Sequence, residues 1–165
     1  MSNLILAIDP GPELSAYVVW DADARCLLPH AFQHTMNAEI RNTEIPHWAA
    51  LGCRLAIEQI GHYGTGMPAG RSVFDTCIAI GRFIQAWHPH KDDALLIMRG
   101  DIKIHHCGSK KAKDGNIRQA LIDKYGAPGT KKHPGPTYGI SSHLWQALAI
   151  ATYVTEVEAE GRQVA

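Results

Sequence analysis

Long apolar runs are missing from this chain. No stretch approaches the roughly 18–20 continuous apolar residues that a membrane span requires. The N-terminus also lacks the basic flank and small-residue cleavage site of a signal peptide, so a cytoplasmic protein is expected. There is no C-x-x-C pair. The four cysteines, Cys26, Cys53, Cys77 and Cys107, are widely spaced and read as free, mostly buried thiols rather than a disulfide framework. The triplet His105, His106, Cys107 offers zinc-ligand types, but adjacent residues rarely converge on one tetrahedral ion and no partner pair has ligand spacing. No repeat or internal linker divides the 165 residues, and a single domain over 1–165 is expected.

Net charge is absent too, with 16 basic against 16 acidic residues. That balance hides an asymmetry. Residues 99–132 hold nine basic side chains and three acidic ones, a local charge of +6 set against −6 elsewhere. Such a block is either a phosphate-binding surface or a solvated lysine-rich face.

What is present first is a run of five apolar residues, Leu4 to Ile8, which reads as a buried strand and ends on Asp9-Pro10-Gly11. Asp-Pro-Gly is good turn chemistry. A carboxylate at the end of a buried strand is otherwise paired, hydrogen-bonded or bound to a metal. Both readings stand at this point. Residues Ala16–Trp20 read as a second strand, turning through Asp21–Ala24 into a third around Cys26–Leu28. Trp48–Cys53 has helical spacing over a short length. Arg54–Ile60 is a further strand that carries Glu58 near its end, repeating the pattern of Asp9.

Residues 61–70 hold four glycines and a proline and form a loop. The spacing of Val73, Cys77, Ile80, Ile84 and Trp87 predicts an amphipathic helix over 72–87 with Ser72 as N-cap. Ala94–Arg99 reads as a strand. Lys113–Gly126 reads as a helix closed by Gly126, with Ile117, Leu121 and Ile122 on its apolar side. A Pro/Gly-rich basic loop over 127–139 leads to a long C-terminal helix that opens on Ser141 and Ser142. A hairpin start followed by alternating strands and helices implies an α/β fold, a mixed five-stranded sheet with helices packed on it. His143 and Gln146, three apart, share one face of the last helix.

The ordered set "AIDPG" (7–11), "AIEQI" (56–60) and "HLWQALAIA" (143–151) resembles the RuvC family of Holliday-junction resolvases, within the ribonuclease H-like nucleases. The segment "GSKKAKDGNIRQALI" (108–122) is similar to the family's basic strand-to-helix region, especially in phage-borne members. The resemblance runs over nearly the whole chain in the right order. It implies a ribonuclease H-like sheet with antiparallel N-terminal strands followed by parallel ones. It also implies two divalent ions per active site, usually magnesium with manganese as a substitute, held by Asp9, Glu58, His143 and the residue at 146. Hard cations take carboxylate oxygens, and His143 would serve as a nitrogen ligand or as a base. The expected setting is a bacterial or phage-infected cell.

Gln146 departs from the family pattern, where an acid is expected. A neutral amide is a poor magnesium ligand and no base, so the chain reads as catalytically impaired. Two accounts follow: an inactive version of an active nuclease, engineered or otherwise, which the otherwise intact set favours, or a natural branched-DNA binder that does not cut. The resemblance further implies phosphate contacts from Lys110, Lys111, Lys113 and Arg118, with Lys131 and Lys132 as additional candidates. His62 or Tyr63 is the candidate wedge at the junction centre, since Gly61 stands nearest the position where relatives carry an aromatic. A four-way DNA junction, a homodimer whose two sites are related by its two-fold axis, and a branch-migration motor are the partners it implies, in DNA recombination and repair. The apolar residues Phe74, Ile78, Phe83 and Trp87 of the helix over 72–87 mark either the dimer face or a well-buried helix. An actin-like ATPase shares the core, but that class is usually more than twice as long and needs a second domain.

Overall fold

The structure, a computed structural model, describes residues 3–61, 70–89 and 93–164. Five strands form one sheet in the order β3-β2-β1-β4-β5. The strands are β1 (Leu4–Asp9), β2 (Leu14–Asp21), β3 (Cys26–Met36), β4 (Arg54–Gln59) and β5 (Leu95–Met98). The first three pair antiparallel, and β4 and β5 add in parallel on the other side of β1. This is the mixed sheet expected from the order of elements. The hairpin turn also forms as read: Asp21 Oδ1 accepts the amide hydrogens of Asp23 and Ala24, at 3.0 and 2.9 Å.

Strand β1 is central, and both of its faces are covered. Ile5 and Ala7 point to one side, where they join Ala16, Val18, Trp20, Ala56 and Ile97. Helices α4 (Arg99–Cys107), α5 (Asp114–Tyr125) and α6 (Leu144–Val164) seal that side through Ile102, Ile117, Leu121, Leu148 and Ala151. Leu6 and Ile8 point to the other side with Tyr17, Val19, Leu55 and Ile57. There they meet Ile40 and Ile45 of a short helical stretch, and α3 (Arg71–Trp87) through Ala79, Ile80, Phe83 and Trp87. That stretch comprises α1 (Asn37–Glu39), a π-helical turn Ile40–Glu44 and α2 (Ile45–Ala50). Pro46 explains the widened turn, because it has no amide hydrogen to continue the α-helical ladder.

Several local expectations are corrected. Strand β3 runs to Met36, well past Leu28, because β2 offers it a partner along its whole length. Helix α4 begins directly after β5, and its mixed polar sequence hid it. Helix α3 starts at Arg71 with Gly70 as its cap residue, and Ser72 makes no capping bond; its carbonyl accepts from Thr76 Oγ1 at 2.8 Å instead. The buried stripe of α3 passes through Thr76, Ala79, Ile80, Phe83 and Trp87, while Cys77 is exposed. Only Cys53 among the four thiols is buried; Cys26 and Cys77 are exposed and Cys107 is intermediate. At the head of α6 the carbonyls of Ser141, Ser142 and His143, rather than serine side chains, accept the first amide hydrogens.

Helices α4, α5 and α6 are tied together by one buried carboxylate. Glu156 accepts from Lys124 Nζ at 2.7 Å and from the Tyr125 hydroxyl, and lies 2.6 Å from His105 Nε2. Burial pushes its pKa up, but hydrogen bonds from Lys124, Tyr125 and His105 outweigh burial and hold the group at about 2. Its folded pKa therefore lies below the ordinary value, so its stabilisation is complete above about pH 4.5 and disappears as pH falls toward 2. Glu156→Gln is expected to cost about 2 kcal/mol at pH 7, read as a lower melting temperature. The gap to the parent should close in melts taken between pH 4.5 and 2.

Candidate active site

The parallel register of β1 and β4 pairs Ile8 with Ile57, so Asp9 and Glu58 occupy the next positions on adjacent strands. Alternation along each strand gives Asp9 the side of Ile5 and Ala7, and Glu58 the side of Ala56. Both carboxylates therefore emerge on the face that α6 covers. Asp9 closes β1 and also starts a turn, which resolves the two readings of Asp-Pro-Gly into one. The turn is pinned from below. The Gly11 amide donates to Ser15 Oγ at 3.0 Å, Ser15 donates to Asn37 Oδ1 at 2.6 Å, and Asn37 Nδ2 donates to the Gly11 carbonyl at 2.9 Å. A Cβ on Gly11 would come within 2.2 Å of the Leu14 carbonyl oxygen, so only glycine fits.

His143 precedes the first residue of α6, after Ser142 in a left-handed conformation (φ 46°). Its Nδ1 lies 3.2 Å from Asp9 Oδ2. With Asp9 ionised, the carboxylate accepts and Nδ1 carries the hydrogen, so in the neutral ring the lone pair is on Nε2. Gln146 sits one turn further on, 5% exposed. A cavity of about 500 Å³ is lined by Asp9, His34, Arg99, Asp114, His143 and Gln146, together with the Asp9–Leu14 turn.

Three of these residues escaped the sequence reading. Asp9, Ala16 and His34 form one row across three paired strands, and the small Ala16 leaves space between the acid and the imidazole. The His34 ring lies 5.1 Å from that of His143. The row exists only because β3 is long, so a third strand ending near Leu28 could not reveal it. Arg99 and Asp114 are, in the sequence, only charges of the basic block. In the fold, Arg99 Nη1 donates to Glu58 Oε2 at 2.9 Å and its Nη2 donates to Asp114 Oδ1.

Burial raises both strand-end acids. Asp9 is pushed up to about 6, with His143 and Arg99 opposing the rise. Glu58 is pushed up to about 7 by burial, opposed by Arg99 and reinforced by the charge of Asp9. Even with a guanidinium in contact, the pair remains short of positive charge.

The basic block is divided by the fold. Arg99 and Lys124 are used internally, against Glu58, Asp114 and Glu156. Lys110, Lys111, Lys113, Lys131 and Lys132 are exposed. Lys110 runs beside Gly100 at the head of α4, and Lys113 caps α5 in a reciprocal pair with Asn116. Arg118 reaches a second cavity shared with Asp114, His143 and Gln146, its guanidinium 5.7 Å from the centre of the Trp145 ring. His62 and Tyr63 lie outside the described residues. On α3 the proposed dimer residues separate: Phe83 and Trp87 are buried in the core, while Phe74 and Ile78 are 60% and 51% exposed.

The His105–His106 pair does find a partner that spacing could not reveal. Glu156 of α6 brings an oxygen so that the three ligand atoms lie within 4.8 Å of one another. The Lys124 ammonium already neutralises that carboxylate, and His106 Nε2 contacts the Ala149 carbonyl at 2.9 Å, which requires that nitrogen to be the donor. Cys107 packs on the hydrophobic core instead.

The raised pKa of Glu58 has a stability consequence of known sign. Because its folded pKa of about 7 exceeds the ordinary carboxyl value, stability falls as pH rises from about 4.5 through 7. Glu58→Gln mimics the neutral form, and should melt a few degrees above the parent at pH 8. In thermal melts the difference should vanish by pH 4.5.

No protein-family model and no curated protein sequence matches the chain. Among solved structures it is similar to RuvC of Thermus thermophilus, with a TM-score of 0.68 and 17% identity over 95% of this chain and 96% of that one. T. thermophilus RuvC in complex with a Holliday junction substrate aligns with a TM-score of 0.69, also at 17% identity, over 96% of both chains. The chain thus has the RuvC-like, ribonuclease H-like fold: a mixed five-stranded sheet flanked by helices.

Proposed function

We propose that this chain is a structure-selective, divalent-cation-dependent endodeoxyribonuclease that resolves four-way DNA junctions by paired symmetric nicks. Residues 1–165 form a single nuclease domain of the RuvC kind, nearest to its phage-borne members. The observation that carries the reading is the meeting of Asp9, Glu58 and His143 on the face beneath α6. One likeness, T. thermophilus RuvC, was solved with a Holliday junction.

The donor set fits a hard cation. Asp9 and Glu58 offer carboxylate oxygens side by side, and burial leaves their charge undercompensated. Bound magnesium or manganese ions would activate a water and stabilise the leaving oxygen of an in-line displacement. Asp9 and Glu58 would hold these cations. His143, oriented by Asp9 through Nδ1, uses Nε2 as ligand or base. Lys110, Lys111, Lys113 and Arg118 hold phosphates along the approach to the cavity. His62 or Tyr63 stacks at the crossover. The outward face of α3, with Phe74 and Ile78, pairs two copies so that two sites address opposing strands.

Gln146 favours a second reading, a branched-DNA binder that does not cut, because a neutral amide lines the cavity where relatives are expected to carry an acid. Cleavage of a labelled mobile four-way junction separates the two. With magnesium and with manganese, the parent and Gln146→Asp are compared, alongside a linear duplex of the same sequence. Symmetric nicks near the crossover, by the parent or by the Asp variant, are expected. Junction binding without cleavage by either protein would establish the binder instead. Light scattering should find a dimer, and Ile78→Asp should convert it to a monomer.

A further inference from the structure

The neutral amide at 146 leaves the cluster one carboxylate short, and a carboxylate from another element stands in the same cavity. Asp114 is the first residue of α5, and it lines both cavities that Gln146 lines. One guanidinium, that of Arg99, holds Glu58 through Nη1 and Asp114 through Nη2. Glu58 and Asp114 therefore share one counter-ion, the planar guanidinium of Arg99. The Arg99 side chain is 22% exposed and that of Glu58 13%, so this cation sits at the mouth of the site rather than in bulk solvent. Gln146 itself is 5% exposed, and among the described residues its amide makes no side-chain hydrogen bond. The Gln146 side chain lines both cavities, so its amide is free to meet a ligand or water there.

The ordinary account of Asp114 is a first-turn acid that complements the dipole of α5 and pairs with Arg99. That account explains neither its sharing of a cation with Glu58 nor its place opposite Gln146. We infer that Asp114 supplies the carboxylate that position 146 lacks. Arg99 holds it against Glu58 in the cation-free protein and gives up both oxygens when a divalent ion binds. The inference rests on the proposed cation-dependent nuclease reading and names a residue within that same site. It changes the meaning of Gln146: the acid is relocated to α5 rather than lost, and Gln146 becomes a neutral neighbour that supplies an amide oxygen or holds a water.

Manganese binding to the full chain, without DNA, tests this by calorimetry and by the loss of the free-ion spin-resonance signal at pH 7.5. Asp9→Asn and Asp114→Asn are each expected to weaken binding tenfold or more. Arg99→Gln, which removes the internal competitor, should tighten it threefold or more. Asp114→Asn combined with Gln146→Asp should return affinity to within about threefold of the parent. The Asp114 side chain is 63% exposed, so its variant keeps the fold, and a melting curve on each protein verifies this. If Asp9→Asn loses manganese while Asp114→Asn retains it, the inference is overturned and the nuclease reading stands. If the parent binds no manganese, or neither variant weakens binding, both fall together.

Discussion

Parallel pairing of β1 with β4 brings Asp9 and Glu58 out of the sheet as neighbours, on the face that α6 covers. Two acids in that position repel each other and lose hydration, and burial lifts both well above ordinary carboxyl values. The surroundings read as a response to this one tension. His143 leans on Asp9, Arg99 bridges Glu58 to Asp114, and the Ser15–Asn37 clip holds the turn that fixes where Asp9 points. The two hydrophobic layers keep the strand ends in register: α3 and the short helices clamp one face, and α4, α5 and α6 the other. Stability elsewhere offsets a locally unfavourable cluster, a pattern common at functional sites.

On the proposed reading, Arg99 gives the cluster two states. It is an internal counter-ion, flat enough to satisfy a carboxylate from β4 and another from α5 at once. A divalent ion placed among the same oxygens would compete with it directly. The same guanidinium couples the head of α5 to the end of β4, so the basic segment that follows β5 is anchored at the site by an ion pair. On the proposed reading, cation binding and phosphate binding then share one set of side chains. DNA approaching along Lys110, Lys111 and Arg118 would meet an arginine that the cation has released.

Glu156 shows the opposite electrostatic solution on the same face. It too is a buried carboxylate, yet three donors surround it and it stays ionised down to about pH 2. The contrast between Glu156, fully partnered, and Glu58, left near neutrality, distinguishes an acid that secures helix packing from one that is undercompensated. Both lie beside basic residues of the 99–132 block, so charge counting along the chain could not have separated them. Lys124 belongs to the structural network and Arg99 to the site.

The sequence by itself determined the order of the main strands and helices, the mixed sheet, and the pairing of Asp9 with Glu58 as strand-end acids. These are legible because strand burial and helix periodicity are local patterns, and because a carboxylate closing an apolar run breaks such a pattern visibly. His143 and Gln146 stood out as polar positions three apart, and only the resemblance assigned them to the same site as the two acids. Only the tertiary structure decided the rest. His34 enters the site through a three-strand register, Asp114 and Arg99 through an ion pair that crosses from β4 to α5, and Glu156 reaches His105 from a helix about fifty residues away in the chain. The exposed and buried sides of α3 also depended on which face the sheet accepted. Such placements follow from distances between elements, which no periodicity along the chain encodes.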